Sequence, residues 1–252
     1  MGMRPAGEKS MWQPTIPVNQ SVNDDDTTQN APLGTRLALG DRVFYYAYFS
    51  AACTAGEVVC APVMGASHQA DILTPGACTA GQKVVTLTLG SSMAANQYAE
   101  GYMMVSSGTG VGQTYRIKSH GTYGTAAVDC TINLYDDLVE PVTATCELNF
   151  VPNIYNKVVI GSSALGVPVG VSVCDVSAVS YAWIQTWGPA AANHVGATPA
   201  AAAIKVGTTG GVLQAFGAAT TCPEIEGFVI GKNFNLAATA GENTPVYLTI
   251  RP

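Results

Sequence analysis

Short apolar runs with a strand-like pattern follow one another from residue 34 to the end of the chain. In residues 83–89, Val85, Leu87 and Leu89 alternate with other residues, and residues 41–49 are rich in aromatic side chains. A period of two and an aromatic-rich run are both typical of β-strands. Similar runs, separated by Gly, Pro, Asn, Asp and Ser, predict further strands at 57–64, 100–105, 113–119, 128–135, 145–151, 157–160, 181–187, 211–216, 227–232 and 244–250.

The alanine-rich stretch 190–204 is the strongest candidate for a helix. Pro189, Gly196 and Pro199 interrupt it before three helical turns can form, so it is predicted to be a loop or an irregular strand. The chain also contains 27 glycines and 14 prolines, which suit many turns and bulges. The predicted fold class is therefore all-β, a sandwich or barrel.

Residues 1–33 differ from the rest of the chain, since they contain four prolines, the acidic run Asp24–Asp26 and no apolar periodicity. They are predicted to form an extended N-terminal arm, either a free terminus or a segment that orders across a neighbouring subunit. Small residues and turn formers dominate 161–180. This predicts a β domain at 34–160, a linker or crossover at 161–180 and a smaller β unit at 181–252. The alternative is a single domain that joins 34–160 with 181–252.

Charged residues make up only 11% of the 252 residues, against about 25% in an average soluble domain. Either the surface is unusually neutral or much of it is covered by other molecules. The net charge of −6, without a Lys/Arg cluster, argues against direct binding of nucleic acid. Residues 176–204 contain no charged residue, but their polar side chains and prolines make them a poor membrane span.

Candidate catalytic and metal-binding residues lack the required context. His68, His120 and His194 have no second ligand at metal spacing, and surface or loop positions are expected for them. The seven cysteines are widely spaced and are expected to be mostly buried and reduced, with a Cys53–Cys60 disulfide as an alternative. The glycine-rich piece 107–113 and the acidic piece 136–141 are both interpreted as turns. We therefore expect no catalytic, cofactor or metal site, and no enzyme.

Aromatic residues offer a better candidate for function. Tyr181, Trp183 and Trp187 lie at i, i+2 and i+6, so they share one sheet face if the strand is regular. They form either a core-facing ladder or a surface that contacts a subunit or stacks on carbohydrate. With the acidic run of the arm, the candidate interface residues are Asp24, Asp25, Asp26, Tyr181, Trp183 and Trp187.

Four stretches resemble β-rich structural proteins of tailed bacteriophages: 33–46 (LGTRLALGDRVFYY), 101–119 (GYMMVSSGTGVGQTYRIKS), 181–189 (YAWIQTWGP) and 246–252 (VYLTIRP). The resemblance implies a virion component, a capsid decoration or cement protein made in the host cytoplasm and bound to the major capsid protein. Low charge and an extended arm fit a subunit that is buried against copies of itself or a shell. We expect homo-oligomers, in particular trimers, that staple capsid proteins with residues 1–33 and with strand edges.

Two other functions agree with the same composition. A self-polymerising tube or fibre subunit would share the neutral, β-rich character. A carbohydrate-binding adhesin would use Trp183 and Trp187 as stacking platforms.

Overall fold

The computed structural model describes residues 20–68, 74–125, 129–162, 166–194, 201–207, 210–215, 229–234 and 241–252. Within these ranges it contains β-strands and one 3-10 turn at Ala66–His68, and no helix long and apolar enough to cross a membrane. The predicted all-β class is confirmed. The strands are β1 (Arg36–Leu39), β2 (Arg42–Phe49), β3 (Val58–Cys60), β4 (Thr74–Pro75), β5 (Val84–Thr88), β6 (Tyr102–Ser107), β7 (Thr114–His120), β8 (Cys130–Leu134), β9 (Glu147–Val151), β10 (Asn156–Ile160), β11 (Pro168–Ser172), β12 (Ser180–Asn193), β13 (Ala203–Val206), β14 (Leu213–Ala215), β15 (Gly231–Asn233) and β16 (Asn243–Thr249).

The chain divides into two compact units, and one is inserted into the other. Unit 1 consists of residues 1–62 and 155–252, and unit 2 of residues 63–154. This division differs from the predicted domains 34–160 and 181–252. Residues 161–180, predicted to be a linker or crossover, contain β11, which is hydrogen-bonded between β3 and β12. Composition along the chain does not reveal an insertion, because both unit boundaries lie inside β-rich sequence.

Unit 1 contains a closed barrel of five strands in the order β2-β10-β3-β11-β12, which closes because β12 also pairs with β2. Strand β12 is 14 residues long and extends beyond the barrel. Its second half, from Trp187 to Asn193, pairs with β16, and β15, β13 and β14 continue the sheet outward. Strand β12 therefore belongs to both parts of the unit.

The two faces of β2 explain its nearly continuous apolar sequence. Tyr45, Ala47 and Phe49 alternate with Phe44 and Tyr46, and all five side chains are buried. A strand that is covered on both faces is apolar throughout instead of alternating. The face with Phe44 and Tyr46 also carries Trp183 of β12 and is covered by Val22 and Ala31, which precede β1.

A β-bulge interrupts β12 after its first half. Gln185 lies opposite Phe44, but Trp187 lies opposite Val43, so two steps along β12 correspond to one step along β2. Each extra residue in a strand turns the side chains that follow it to the opposite face of the sheet. Trp187 therefore faces the side opposite to Trp183. Gly188 follows the bulge with φ +85°, and a Cβ atom there would lie 2.3 Å from the Asp41 carbonyl oxygen.

Unit 2 is a six-stranded antiparallel sheet in the order β4-β5-β8-β7-β6-β9. Alternate residues of its strands are buried on one face, as the period of two predicts. This face forms a core of its own. The largest apolar contributors from the strands are Val85, Leu87, Met103, Val105, Tyr115, Ile117, Ile132, Leu134, Leu148 and Phe150.

The six cysteines in the described ranges are free thiols, and all but Cys174 are buried. The alternative of a Cys53–Cys60 disulfide is therefore wrong, and the expectation of mostly buried, reduced cysteines agrees with the six described positions. Burial raises the pKa of Cys60 to about 11, so the thiol stays protonated at neutral pH. Cys222 lies outside the described residues.

Candidate interface site

The described part of the predicted arm, residues 20–33, packs on its own chain. Asp26 forms a two-way backbone bridge with Tyr181, in which the Asp26 N–H donates to Tyr181 O (3.0 Å) and the Tyr181 N–H donates to Asp26 O (2.7 Å). Val22 and Ala31 are buried against Tyr46. For residues 20–33 the contacts of the arm are thus intramolecular, whereas the sequence left open a contact across a neighbouring subunit. Residues 1–19 lie outside the described part of the chain.

A buried glutamine fastens this segment to the sheet. Gln20 Nε2 donates to the carbonyl oxygens of Asp24 (2.9 Å) and Tyr181 (2.8 Å), and its Oε1 accepts from the Tyr46 hydroxyl (2.7 Å). Every polar atom of this side chain is therefore satisfied, as burial of an amide requires. Sequence reasoning missed Gln20, because nothing in its neighbours distinguishes it from an exposed arm residue.

The acidic run is ordered by hydrogen bonds from nearby groups. Asp25 Oδ2 accepts from the Ser177 N–H (2.7 Å), and this bond holds the pKa of Asp25 below its ordinary value. Asp26 accepts from the Thr28 N–H (2.8 Å) and the Asn30 amide (2.8 Å), and these bonds lower its pKa in the same way. Hydrogen bonds to a carboxylate favour its charged form. Both groups therefore remain ionised at neutral pH.

The aspartates line an open pocket of about 350 Å³ together with Gln20, Ser21, Asn23 and Asp175. Asp175 comes from the loop between β11 and β12, so two distant segments of unit 1 supply the carboxylates. In the described residues no group of three or more His, Cys, Asp or Glu side chains is arranged to hold a metal ion. The pocket is an electronegative concavity that attracts basic groups.

The three aromatic residues of β12 are not equivalent. Tyr181 is half-buried and packs on Tyr48, with ring centroids 4.8 Å apart. Trp183 is fully buried and meets Tyr46 edge-on at 5.0 Å. Trp187 packs edge-on against Tyr247 at 6.1 Å. The prediction that all three share one face is wrong, because the bulge turns Trp187 to the other face. For Trp183, the core-facing alternative applies, and its ring presents no surface to a partner.

The histidines also differ from expectation. His68, His120 and His194, expected at surface or loop positions, are 2%, 5% and 1% exposed. The glycine-rich piece 107–113 forms the connection between β6 and β7. Residues 135–141 follow β8 as an irregular segment with exposed acidic side chains, so both turn interpretations are confirmed.

No known protein family, curated protein or solved structure matches this chain.

Proposed function

We propose that this chain is a virion structural protein, a capsid decoration or cement protein that binds the phage head through the major capsid protein and through copies of itself. The observation that carries the proposal is the outward face of the unit 2 sheet. Four large side chains are exposed there: Val84 (40%), Tyr102 (43%), Met104 (36%) and Tyr135 (40%). The same face also carries polar residues such as Thr86 and Asn133. Several large exposed side chains on one sheet face are typical of surfaces that become covered on assembly.

The charge of Arg116 on this face is neutralised by a neighbouring carboxylate. Tyr102 lies opposite Arg116 on β7, and the Tyr135 N–H donates to the Arg116 carbonyl oxygen, so the three residues form a row across the sheet. The Arg116 guanidinium lies 5.5 Å from the centre of the Tyr135 ring and 2.5 Å from the Glu100 carboxylate. Tyrosine and arginine are enriched in protein interfaces, whereas unpaired charges are depleted from their centres. The row is therefore suited to burial against another protein.

Unit 1 contributes a surface of different character. Its pocket of aspartates carries ionised carboxylates in a chain with few charges. Complementary charge sets the orientation and speed of association more than the affinity. In the proposed function, the outward sheet face of unit 2, with its four large exposed side chains, supplies the contact area, and the acidic pocket guides basic side chains of the capsid protein.

The carbohydrate-binding alternative is weakened by the position of its proposed platform. An adhesin needs exposed aromatic faces, and Trp183 is fully buried. The tube or fibre alternative uses the same neutral faces as a decoration protein. Negative-stain images of the purified chain separate these two, because a tube subunit forms filaments without any capsid present.

The contribution of the outward sheet face of unit 2 is tested by measuring how tightly the purified chain binds to phage heads. The heads come from a phage that normally encodes the chain and from which its gene has been deleted. We expect the double variant Tyr102→Ser/Met104→Ser to bind these heads at least about tenfold more weakly, a loss typical of a central interface residue. Both side chains point away from the core, so the variant stays folded. The matched control Tyr102→Phe/Met104→Leu retains apolar area and is expected to bind normally. Equal binding by the serine variant would contradict the proposal.

The role of the arm requires a shorter deletion than residues 1–33. Removing 20–33 would uncover Tyr46 and Trp183 and would destabilise unit 1 for reasons unrelated to binding. We expect deletion of residues 1–19 to reduce occupancy on the heads, because an arm acts through many repeated contacts. The unfolding midpoint of the shortened chain is measured alongside, so that a loss of stability can be told from a loss of binding. Full occupancy of the shortened chain would show that residues 1–19 do not staple the shell.

A further inference from the structure

His120, the last residue of β7, holds the segment between β5 and β6 with three hydrogen bonds. Its backbone N–H donates to Asn96 Oδ1 (3.1 Å), its carbonyl oxygen accepts from the Asn96 N–H (3.2 Å), and its ring Nε2 accepts from the Tyr98 N–H (3.0 Å). The third bond is the only one of these that depends on the protonation state of the ring.

The partners of the ring settle its tautomer. Nδ1 lies 2.9 Å from the Gly121 carbonyl oxygen, which can only accept a hydrogen bond. Nδ1 therefore carries the proton, and Nε2 presents a lone pair to the Tyr98 N–H. The neutral ring satisfies both contacts, and the imidazolium does not.

A second buried histidine, His68, contacts the same segment through the Tyr98 side chain. The Tyr98 hydroxyl lies 2.7 Å from His68 Nδ1, and His68 Nε2 lies 3.2 Å from Ser91 Oγ. Tyr98 is 1% exposed and also packs against Phe150 of the core, with ring centroids 5.4 Å apart. Tyr98 is thus bonded through its backbone to one histidine and through its side chain to the other.

Among the described residues, the titratable groups that face His120 are His68 and Tyr98. Neither histidine ring is hydrogen-bonded to a carboxylate in the described part of unit 2, so no acidic partner there offsets a positive charge. Burial lowers the pKa of His120. The hydrogen bond to the Gly121 carbonyl oxygen opposes this effect, the nearby His68 adds a smaller lowering, and the net shift is downward. Burial raises the pKa of Tyr98, so this hydroxyl stays neutral.

We propose that His68, Tyr98 and His120 form an acid-sensitive clasp that loosens the turn 95–100 around Tyr98 when His120 is protonated. Protonation places an Nε2–H against the Tyr98 N–H, so two donors face each other without an acceptor. Bonds that do not titrate hold both ends of this turn: the two-way backbone bridge between Met93 and Tyr123, and the bond from the Glu100 N–H to the Ile117 carbonyl oxygen. The clasp therefore opens locally while the sheet stays folded, and its opening is a response to acid that goes beyond attachment to a capsid.

The direction of the pH effect follows from linkage. The released histidine has an ordinary pKa of about 6.5, whereas the clasped one has a lower pKa. Below about pH 6.5 the released state binds more protons than the clasped state, so acid favours release. The clasp is fully effective above this pH and weakens as the pH falls toward the pKa of the clasped ring.

Amide hydrogen exchange measured by NMR on the full chain tests the clasp. Between about pH 7 and pH 5, after correction for intrinsic exchange, we expect protection of the Tyr98 amide to fall by up to about tenfold per pH unit below pH 6.5. Protection of the Leu134 amide, which donates to the Lys83 carbonyl oxygen in the sheet, is expected to stay constant. A Tyr98 amide whose protection does not change with pH, or changes in step with that of Leu134, would overturn the proposal.

Two variants assign the effect to the ring. In His120→Gln, an amide oxygen that does not titrate takes the place of Nε2, and we expect the acid response of Tyr98 to disappear. His194→Gln is the matched control, because His194 is a buried histidine of unit 1 whose pKa is also lowered by burial. This control is expected to keep the response. If His120→Gln does not fold, the His120 ring signal in the wild-type chain must still titrate with the midpoint of Tyr98 release, and a different midpoint refutes the clasp.

Discussion

Replacing Trp183 with alanine is expected to lower the free energy of unfolding of unit 1 by about 3–5 kcal/mol, the range for a large aromatic side chain removed from a core. The indole is fully buried between the barrel and the covering segment 20–33, in contact with Tyr46. Its removal leaves a cavity that Val22 and Ala31 are too small to fill. Urea denaturation followed by far-UV circular dichroism measures the loss.

The control for this experiment is Trp187→Ala, in the same strand. Trp187 is half-buried on the opposite face, so we expect a loss of about 1–2 kcal/mol, in proportion to the smaller area removed from contact. Equal losses for the two variants would mean that the bulge does not separate the two rings. Trp183→Phe is expected to cost less than Trp183→Ala, because the indole N–H has no hydrogen-bond partner among the described residues.

Gly188→Ala is expected to destabilise unit 1 by about 3 kcal/mol or more, because two penalties combine. The first is the left-handed backbone at φ +85°, which costs about 1–2 kcal/mol for a residue with a Cβ atom. The second is steric, since the added Cβ would lie 2.3 Å from the Asp41 carbonyl oxygen. That oxygen belongs to the main chain before β2, so it cannot move without disturbing the barrel.

Gly241→Ala isolates the first penalty. Gly241 is also in unit 1 and has φ +78°, but no atom lies within 4 Å of an added Cβ. We expect it to lose only about 1–2 kcal/mol. The difference in stability between the two variants therefore measures the energetic cost of the close approach between the added Cβ atom and the Asp41 carbonyl oxygen. If both variants lost the same stability, the approach to Asp41 would have no energetic importance.

Much of the fold could be predicted because many strands carry a local signal. The run 83–89 alternates as β5 does, and the aromatic run 41–49 matches β2 within one residue. Strand β11 was missed, because its sequence PVGVS is short, is buried along its whole length and has no alternation. Strand β13 was also missed, because alanines and prolines precede it. In both cases neighbouring strands, and not local preference, make the segment extended.

Less of the candidate site could be predicted from the sequence. The acidic run and Tyr181 were both named, and the structure joins them through the Asp26–Tyr181 bridge. The face of Trp187 depends on one extra residue in the register with β2, which no property of the sequence YAWIQTWGP reveals. The burial of His120 depends on Asn96 and Tyr98, more than twenty residues away along the chain. Contacts of this kind are set by topology, which single-sequence patterns do not encode.

The insertion of unit 2 has a consequence for the order of events during biosynthesis. Unit 2 is a continuous stretch of 63–154, so it can complete its core while the ribosome is still adding later residues. Strands β2 and β3 are made earlier, yet they lack their barrel neighbours until β10–β12 emerge, since Tyr46 pairs with Trp183. Nascent β2 therefore lacks its barrel neighbours, with Tyr45, Ala47 and Phe49 uncovered, while more than a hundred further residues are synthesised. During that interval these side chains are available for aggregation or for a chaperone.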